Sequence, residues 1–125
     1  MIALAVALSL FGDILPQSKS DLRSTLDFMI ELHCHYLPGV DDGAQTNEDA
    51  LELMAAAVAD GVSHALLTPH FHPGRYDNTL GSLRARFVLF RRLLVQSNLP
   101  IGIGLAAEVR LLPTTLTLLK QKAVP

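Results

Sequence analysis

Residues 62–72 read Val-Ser-His-Ala-Leu-Leu-Thr-Pro-His-Phe-His, and this stretch decides the fold. Its first seven residues are mostly apolar and lack the strict alternation of a strand with one face in solvent. A run of this kind is typical of a parallel strand that is covered on both faces. We therefore predict a buried parallel strand over residues 62–68, followed by a loop that carries two histidines.

A helix is predicted on each side of this strand. Upstream, residues 46–49 read Thr-Asn-Glu-Asp, which resembles a capping box with Asp in place of the usual Glu or Gln, and Gly61 is the expected terminator. The expected buried stripe of this first helix consists of Leu51, Met54, Ala55 and Val58. The second helix is expected to bury Leu83, Phe87, Phe90 and Leu94. Its outer face carries Arg84, Arg86, Arg91 and Arg92.

Two further strands complete a strand–helix–strand–helix–strand order. Residues 29–33 form a short apolar strand, and residues 101–109 form a third strand that Gly102 and Gly104 loosen. Pro113 then begins a third helix, which we expect to run to the end of the chain. This order predicts an α/β fold, a βαβαβ parallel segment with right-handed crossovers.

Composition narrows the class of protein. The chain has 125 residues, a length that indicates one domain or part of one. Half of the residues are apolar and the net charge is −2, a balance that does not indicate nucleic-acid binding. Cys34 is the only cysteine, so no disulfide is expected and a reducing cytoplasm is the expected compartment. We expect the Cys34 side chain to fill a small buried space. The apolar run within residues 1–28 is too short to span a bilayer. We interpret residues 1–28 as an N-terminal extension from a misplaced start, with an export signal as the alternative.

Candidate metal ligands lie at the ends of the predicted strands. His33 and His35 are one residue apart on an extended stretch, so both rings face the same side. Glu108, at the end of an apolar strand, would be costly to bury unless it were paired or bound to a metal. The carboxyl ends of parallel strands share one edge, where ligands bind. We expect five side chains to converge there, namely His33, His35, His70, His72 and Glu108.

The loops after these strands add further candidates. Imidazole and carboxylate groups suit Zn, Mn or Fe, and one of Asp41 and Asp42 is expected to bind metal while the other shapes the Asp-Gly turn. His72 is either a ligand or a group that faces the substrate. Arg75 and Arg110 either meet an anionic substrate or stay solvated. His64 is expected to lie outside the site.

Three segments resemble a known family: residues 29–44, 60–70 and 107–110. They are similar to the PHP (polymerase and histidinol phosphatase) superfamily, and most of all to its bacterial capsule and exopolysaccharide tyrosine-protein phosphatases. The Leu-Pro-Gly-Val-Asp-Asp-Gly continuation at residues 37–43 is particular to that branch. The resemblance places the family's metal ligands on His33, His35, Asp42, His70 and Glu108.

The resemblance implies a metal-dependent phosphoric monoester hydrolase, specifically a manganese-dependent protein-tyrosine phosphatase of capsule or exopolysaccharide biosynthesis. More than one Mn²⁺ ion is implied, with Zn²⁺ or Fe as alternatives. Glu108 and Asp42 would be catalytic, with Glu108 bridging two ions, and Arg75 and His72 would bind substrate. The implied substrate is a phosphotyrosine protein, the tyrosine kinase of polysaccharide export, in the cytoplasm.

The resemblance also implies a distorted (β/α)7 barrel, of which residues 29–125 would form a truncated first half. Family members continue through strands that supply further ligands, so we expect little activity from this chain alone. Self-association into a homo-oligomer could complete the barrel. Two alternatives stay open: another PHP phosphoesterase, such as a histidinol-phosphatase-like enzyme, and a non-catalytic remnant.

Overall fold

The protein is described by a computed structural model, which covers residues 29–125. The predictions about residues 1–28 lie outside the described residues. The elements, in chain order, are β1 (Met29–Cys34), α1 (Asn47–Ala59), β2 (Val62–Leu67), β3 (His70–Phe71), α2 (Leu80–Gln96), β4 (Gly102–Leu105), β5 (Glu108–Val109) and α3 (Pro113–Lys120).

Strands β1, β2 and β4 form a parallel sheet in that spatial order. The predicted parallel α/β arrangement is confirmed, with the apolar strand β2 in the centre. Ala65 and Leu67 of β2 belong to the main core, whereas Leu66 joins Ala106 in a second small cluster. Successive strand residues point to opposite faces, so β2 is covered on both.

The third predicted strand, residues 101–109, is wrong as a single element. It is divided into β4, which pairs with β2, and β5, which pairs with β3 in a separate parallel pair. The division lies opposite Pro69, which separates β2 from β3. Proline has no N–H to donate to the hydrogen-bond ladder, so the pairing is interrupted there. Its carbonyl oxygen still accepts a hydrogen bond of 3.0 Å from the Glu108 N–H, so pairing resumes beyond the break. Glu108 is thereby set in register with His70.

Helix α1 begins at the predicted capping box. The Thr46 hydroxyl accepts a hydrogen bond from the Asp49 N–H, and the Asp49 carboxylate accepts one from the Thr46 N–H. After the helix, Gly61 has a φ of +93°, the left-handed conformation that glycine adopts without strain. Both ends of α1 are therefore confirmed.

The predicted buried stripe of α1 is only partly correct. Met54 is fully buried, but Ala55 is exposed, and Leu51 and Val58 are half-buried. The residues that face the core are Ala50, Met54 and Ala57. Alanines on both faces of the helix blur its apolar periodicity, so the sequence pattern did not indicate which alanines are inside.

Helices α2 and α3 close the described part of the fold. On α2, Leu83, Phe90 and Leu94 are buried as predicted, Phe87 is half-buried, and all four arginines are exposed. The expectation that α3 runs to the chain end is wrong. It ends at Lys120 because Lys122 adopts a φ of +54° and the Ala123 N–H bonds the Leu118 carbonyl, a Schellman-type ending. No helix within residues 29–125 has the length and apolarity needed to cross a membrane.

Candidate metal centre

Glu108 lies at the centre of a cluster of histidines. Its Oε2 atom is 3.1 Å from His33 Nε2, 3.2 Å from His35 Nε2 and 3.3 Å from His70 Nδ1. On the far side of the His70 ring, Nε2 lies 3.1 Å from Asp42 Oδ1. The structure thus brings together five side chains, which are His33, His35, Asp42, His70 and Glu108. Their role as ligands stays a prediction.

The cluster contains two groups of three donors. One comprises His33, His35 and Glu108, the other His35, Asp42 and His70, and within each group the ligand atoms lie within 4.8 Å of one another. His35 belongs to both groups. Imidazole nitrogens with one carboxylate oxygen are a donor set that fits Zn²⁺, Mn²⁺ or Fe²⁺. Because His35 offers one ligand atom and belongs to both groups, the groups overlap, and the residues present fit the binding of a divalent ion in this cluster.

The cluster opens to solvent on one side. The side chains of His33 and Asp42 are 60% and 59% exposed, whereas those of His35 and His70 are 23% and 26% exposed. The two inner histidines are held by packing, with ring centroids 4.5 Å apart. This gradient leaves one side of the cluster open to solvent above two histidines that are packed from below.

Asp41 and Asp42 take different places, which the residue pattern left open and for which the resemblance implied Asp42 as the ligand. The Asp41 side chain is fully buried, and its carboxylate accepts hydrogen bonds from the Gly43 and His70 N–H groups at 3.0 and 2.9 Å. The same carboxylate contacts His35 Nδ1 at 2.8 Å. Asp41 therefore shapes the turn and joins two loops, while Asp42 faces the cluster.

Gly43 permits the close approach of this turn to β1. A Cβ atom at this position would overlap the carbonyl oxygen and Cβ of His35. The next residue, Ala44, donates its N–H to the same carbonyl at 3.0 Å. The absence of a side chain at Gly43 thus allows the turn to fasten onto His35 from behind.

A cleft of about 340 Å³ adjoins the cluster. It is lined by Asp42, His70 and Glu108, and also by the predicted substrate-binding residues His72 and Arg75. Arg110, whose role was left open, lines it too. An open cleft that carries two guanidinium groups beside a metal-type cluster suits an anionic ligand.

The charges around the cleft shift two pKa values. Desolvation, followed by the Arg110 and Arg75 guanidinium groups, lowers the pKa of His72 below its ordinary value. For Asp42, desolvation raises the pKa, but a hydrogen bond from Tyr76 and the neighbouring His70 outweigh it, and the pKa is lowered. At neutral pH, His72 is therefore neutral and Asp42 is ionised.

A tight turn places two residues of the cleft. The Arg75 N–H donates to the His72 carbonyl at 3.0 Å, across Pro73 and Gly74, whose φ is +86°. Proline followed by a glycine of positive φ is the arrangement of a type II turn. The turn sets Tyr76 against the cluster, where its ring stacks on His70 with centroids 5.1 Å apart and planes 5° apart.

Tyr76 and Asn78 were missed from the sequence. The Asn78 side chain donates to the carbonyls of Val40 and His70 at 2.8 and 2.9 Å, and so ties the loop after β1 to β3. No spacing signal could have found it, because its acceptors are backbone groups of distant segments.

Two other residues lie apart from the cluster. Cys34 is buried, its thiol contacts the Leu66 carbonyl at 3.4 Å, and burial raises its pKa to about 12, which agrees with a filler rather than a nucleophile. His64 pairs with Ile30 and Gly102 within the sheet, and its ring lies 2.9 Å from the Ser63 hydroxyl. It is outside the cluster, as expected.

Comparison with known proteins gives a consistent result. A sequence model of the family described as "Capsular polysaccharide synthesis, CpsB/CapC" matches residues 29–125. The chain is 34% identical over 83 residues to "Tyrosine-protein phosphatase YwqE" of Bacillus subtilis (strain 168), an alignment that covers 66% of this chain and 33% of the relative. It is 26% identical over 97 residues to "Tyrosine-protein phosphatase CpsB" of Streptococcus pneumoniae, covering 78% of this chain and 40% of the relative.

The fold is similar to that of a solved structure. The work that reports it describes YwqE from Bacillus subtilis and CpsB from Streptococcus pneumoniae as "unique metal-dependent tyrosine phosphatases". The TM-score is 0.71 at 30% sequence identity, and the match covers 77% of this chain and 39% of the other. The chain thus spans 33–40% of the length of these relatives.

Proposed function

Because the chain belongs to the CpsB/CapC family of capsular polysaccharide synthesis, we propose that it carries part of the active site of a metal-dependent tyrosine-protein phosphatase. One observation carries this proposal: three histidines from two segments surround a single oxygen of Glu108 within 3.3 Å. The reaction is the hydrolysis of a phosphate monoester, and the substrate is phosphotyrosine on a protein.

Each residue of the cluster has a role in this proposal. His33 and His35 would hold one ion together with Glu108, whose Oε2 atom lies 3.1 and 3.2 Å from their Nε2 atoms. Asp42 and His70 would hold a second ion, and Glu108, 3.3 Å from His70 Nδ1, would link the two positions. Divalent ions held there would lower the pKa of a water molecule and neutralise charge on the phosphoryl oxygens. We propose Mn²⁺ as the metal, with Zn²⁺ or Fe as alternatives.

The adjoining cleft receives the phosphoryl group. Arg75 presents a planar, permanently charged guanidinium that matches phosphate oxygens. Desolvation and the two guanidinium groups lower the pKa of His72, so its neutral ring can donate or accept a hydrogen bond in the cleft. The orientation of the phosphoryl group towards Glu108 and Asp42 follows from their position in the same cleft.

The wider setting is also proposed. Residues 29–125 would form the first part of a distorted (β/α)7 barrel. Within the described residues β1 pairs only with β2, and its apolar residues Met29, Ile30 and Leu32 are exposed, which supports a further strand or a second copy at this edge. The natural partner would be the cytoplasmic tyrosine kinase of polysaccharide export.

Metal binding provides the first test. Titration of the metal-free chain with Mn²⁺, followed by calorimetry and elemental analysis, should show binding that the double variant H33A/H35A loses almost entirely. His64→Ala is the matched control, because it also removes an imidazole but lies outside the cluster. Equal metal content in the double variant and the parent would refute the ligand assignment.

Activity requires a second test, because the chain spans a third of the length of its first relative. Residues 29–125 would replace the matched segment of the Bacillus subtilis relative, and phosphate release from a phosphotyrosine peptide would be measured with added Mn²⁺. The chimera should be active and its Glu108→Gln variant inactive, with histidinol phosphate as the comparison substrate. A chimera that folds and binds Mn²⁺ but releases no phosphate would contradict the proposal.

A further inference from the structure

Asp41 is a buried carboxylate beside an open site. Its side chain is fully buried, although the Asp42 side chain next to it is 59% exposed. A carboxylate taken out of water is costly unless its oxygens are all engaged. Oδ1 accepts the Gly43 N–H, and Oδ2 accepts the His70 N–H and contacts His35 Nδ1. This arrangement keeps one charge in place at the base of the cluster.

The contact with His35 favours one position of the ring proton. An ionised carboxylate only accepts hydrogen bonds, so the 2.8 Å contact of Nδ1 with the fully buried Asp41 favours a hydrogen on Nδ1. The competing contact of Nε2 with the Glu108 carboxylate is longer, at 3.2 Å, and the Glu108 side chain is 44% exposed. In the neutral ring, Nε2 then keeps its lone pair. That Nε2 atom lies 3.3 Å from His33 Nε2 and 3.2 Å from Glu108 Oε2, and therefore faces the centre of the cluster.

The same oxygen reaches the other side of the cluster. By accepting the His70 N–H at 2.9 Å, Asp41 holds the first residue of β3 at a fixed distance from the loop after β1. His35 occurs in both donor groups and His70 in one of them. One buried carboxylate thus sets the ring of one candidate ligand and the backbone of another.

We propose that Asp41 is a positioning residue of the metal centre, which holds His35 in the Nδ1–H form and aligns it with His70. This inference rests on the proposed metal-dependent function, because it assigns Asp41 to the same centre. Asp41 contacts the ligands and not the metal. Its effect is to present the Nε2 lone pair of His35 to the cluster.

The test uses Asp41→Asn, which keeps the size of the side chain. The carboxylate can only accept a hydrogen bond from His35 Nδ1, whereas the amide can also donate one to it. In the metal-free chain labelled with ¹⁵N-histidine, long-range ¹H–¹⁵N spectra should show His35 as the Nδ1–H form, assigned with a His35→Gln variant. In Asp41→Asn the Nε2–H form should appear, and Mn²⁺ affinity should fall about 10–100-fold. Asp49→Asn, a carboxylate at a helix cap, is the matched control and should change neither readout.

Two outcomes would overturn the inference. One is a parent chain whose His35 carries its proton on Nε2, a measurement that needs no variant and stands if Asp41→Asn fails to fold. The other is a folded Asp41→Asn protein with parental tautomer and parental Mn²⁺ affinity. Neither depends on phosphatase turnover. Failure of the proposed function would instead appear as a chimera that folds and binds Mn²⁺ but releases no phosphate.

Discussion

Two single residues behind the cluster determine the position of the His35 ring. Gly43 has no Cβ, which would otherwise overlap the His35 backbone. In the same turn, the Asp41 carboxylate contacts His35 Nδ1 and accepts hydrogen bonds from the Gly43 and His70 N–H groups. Neither residue belongs to the two donor groups of the cluster. Both determine where the His35 ring lies, so the geometry of the cluster depends on residues that touch no metal.

Gly43→Ala tests this dependence. The added methyl group must displace the His35 backbone, and overpacking of this kind costs about 1–3 kcal/mol, so we expect lower Mn²⁺ affinity together with a lower melting temperature. Gly81→Ala in α2 is the control, because a Cβ there meets only the Thr79 hydroxyl at 3.9 Å. Calorimetric titration and thermal unfolding measure both effects, and an unchanged Mn²⁺ affinity in Gly43→Ala would contradict the close-approach argument.

At the scale of the element, the capping box of α1 links a local sequence signal to stability. Thr46 and Asp49 exchange hydrogen bonds, and the Gln45 N–H adds a further one to Asp49 at 3.2 Å. These bonds, first of all those from Thr46, lower the pKa of the Asp49 carboxyl below its ordinary value. The part of the box's contribution to stability that depends on the Asp49 charge is therefore present only while Asp49 is ionised.

The pH dependence of this contribution has a definite sign. Because the folded-state pKa of Asp49 lies below the unfolded value, its contribution is fully present above about pH 4 and is lost as the pH falls through the folded pKa. The free energies of unfolding of the parent and of Asp49→Asn should differ most at neutral pH and converge in acid. Denaturant unfolding at several pH values measures this, and a constant difference across the range would show that the charge of Asp49 is irrelevant.

At the scale of the whole molecule, the core joins both helices to the sheet and supports the site edge. Residues from β1, β2, α1 and α2 belong to one buried cluster, and Leu37, in the loop that leads to Asp41, is buried within it. The loop that carries Asp41 and Asp42 is thus anchored in the same core that holds the strands. Stability and site geometry are coupled through this core.

A pair of leucines on α2 separates core packing from helix propensity. Leu83 is fully buried and Leu89 is 58% exposed, so Leu83→Ala should lower the free energy of unfolding by about 2–5 kcal/mol and Leu89→Ala by less than about 0.5 kcal/mol. Urea unfolding followed by circular dichroism measures both. Equal losses in the two variants would mean that the packing of α2 on the sheet is not as described.

The sequence by itself determined the parallel α/β order, the start of α1 and the edge at which His33, His35, His70 and Glu108 meet. These features follow from local periodicity, from caps and from the rule that parallel strands end at one edge. Only the tertiary structure decided which of Asp41 and Asp42 is buried and that Tyr76 stacks on His70. It also decided that the predicted strand over residues 101–109 is divided into β4 and β5 opposite Pro69. The physical reason is that each of these depends on contacts between residues far apart in the chain, for which no local pattern exists.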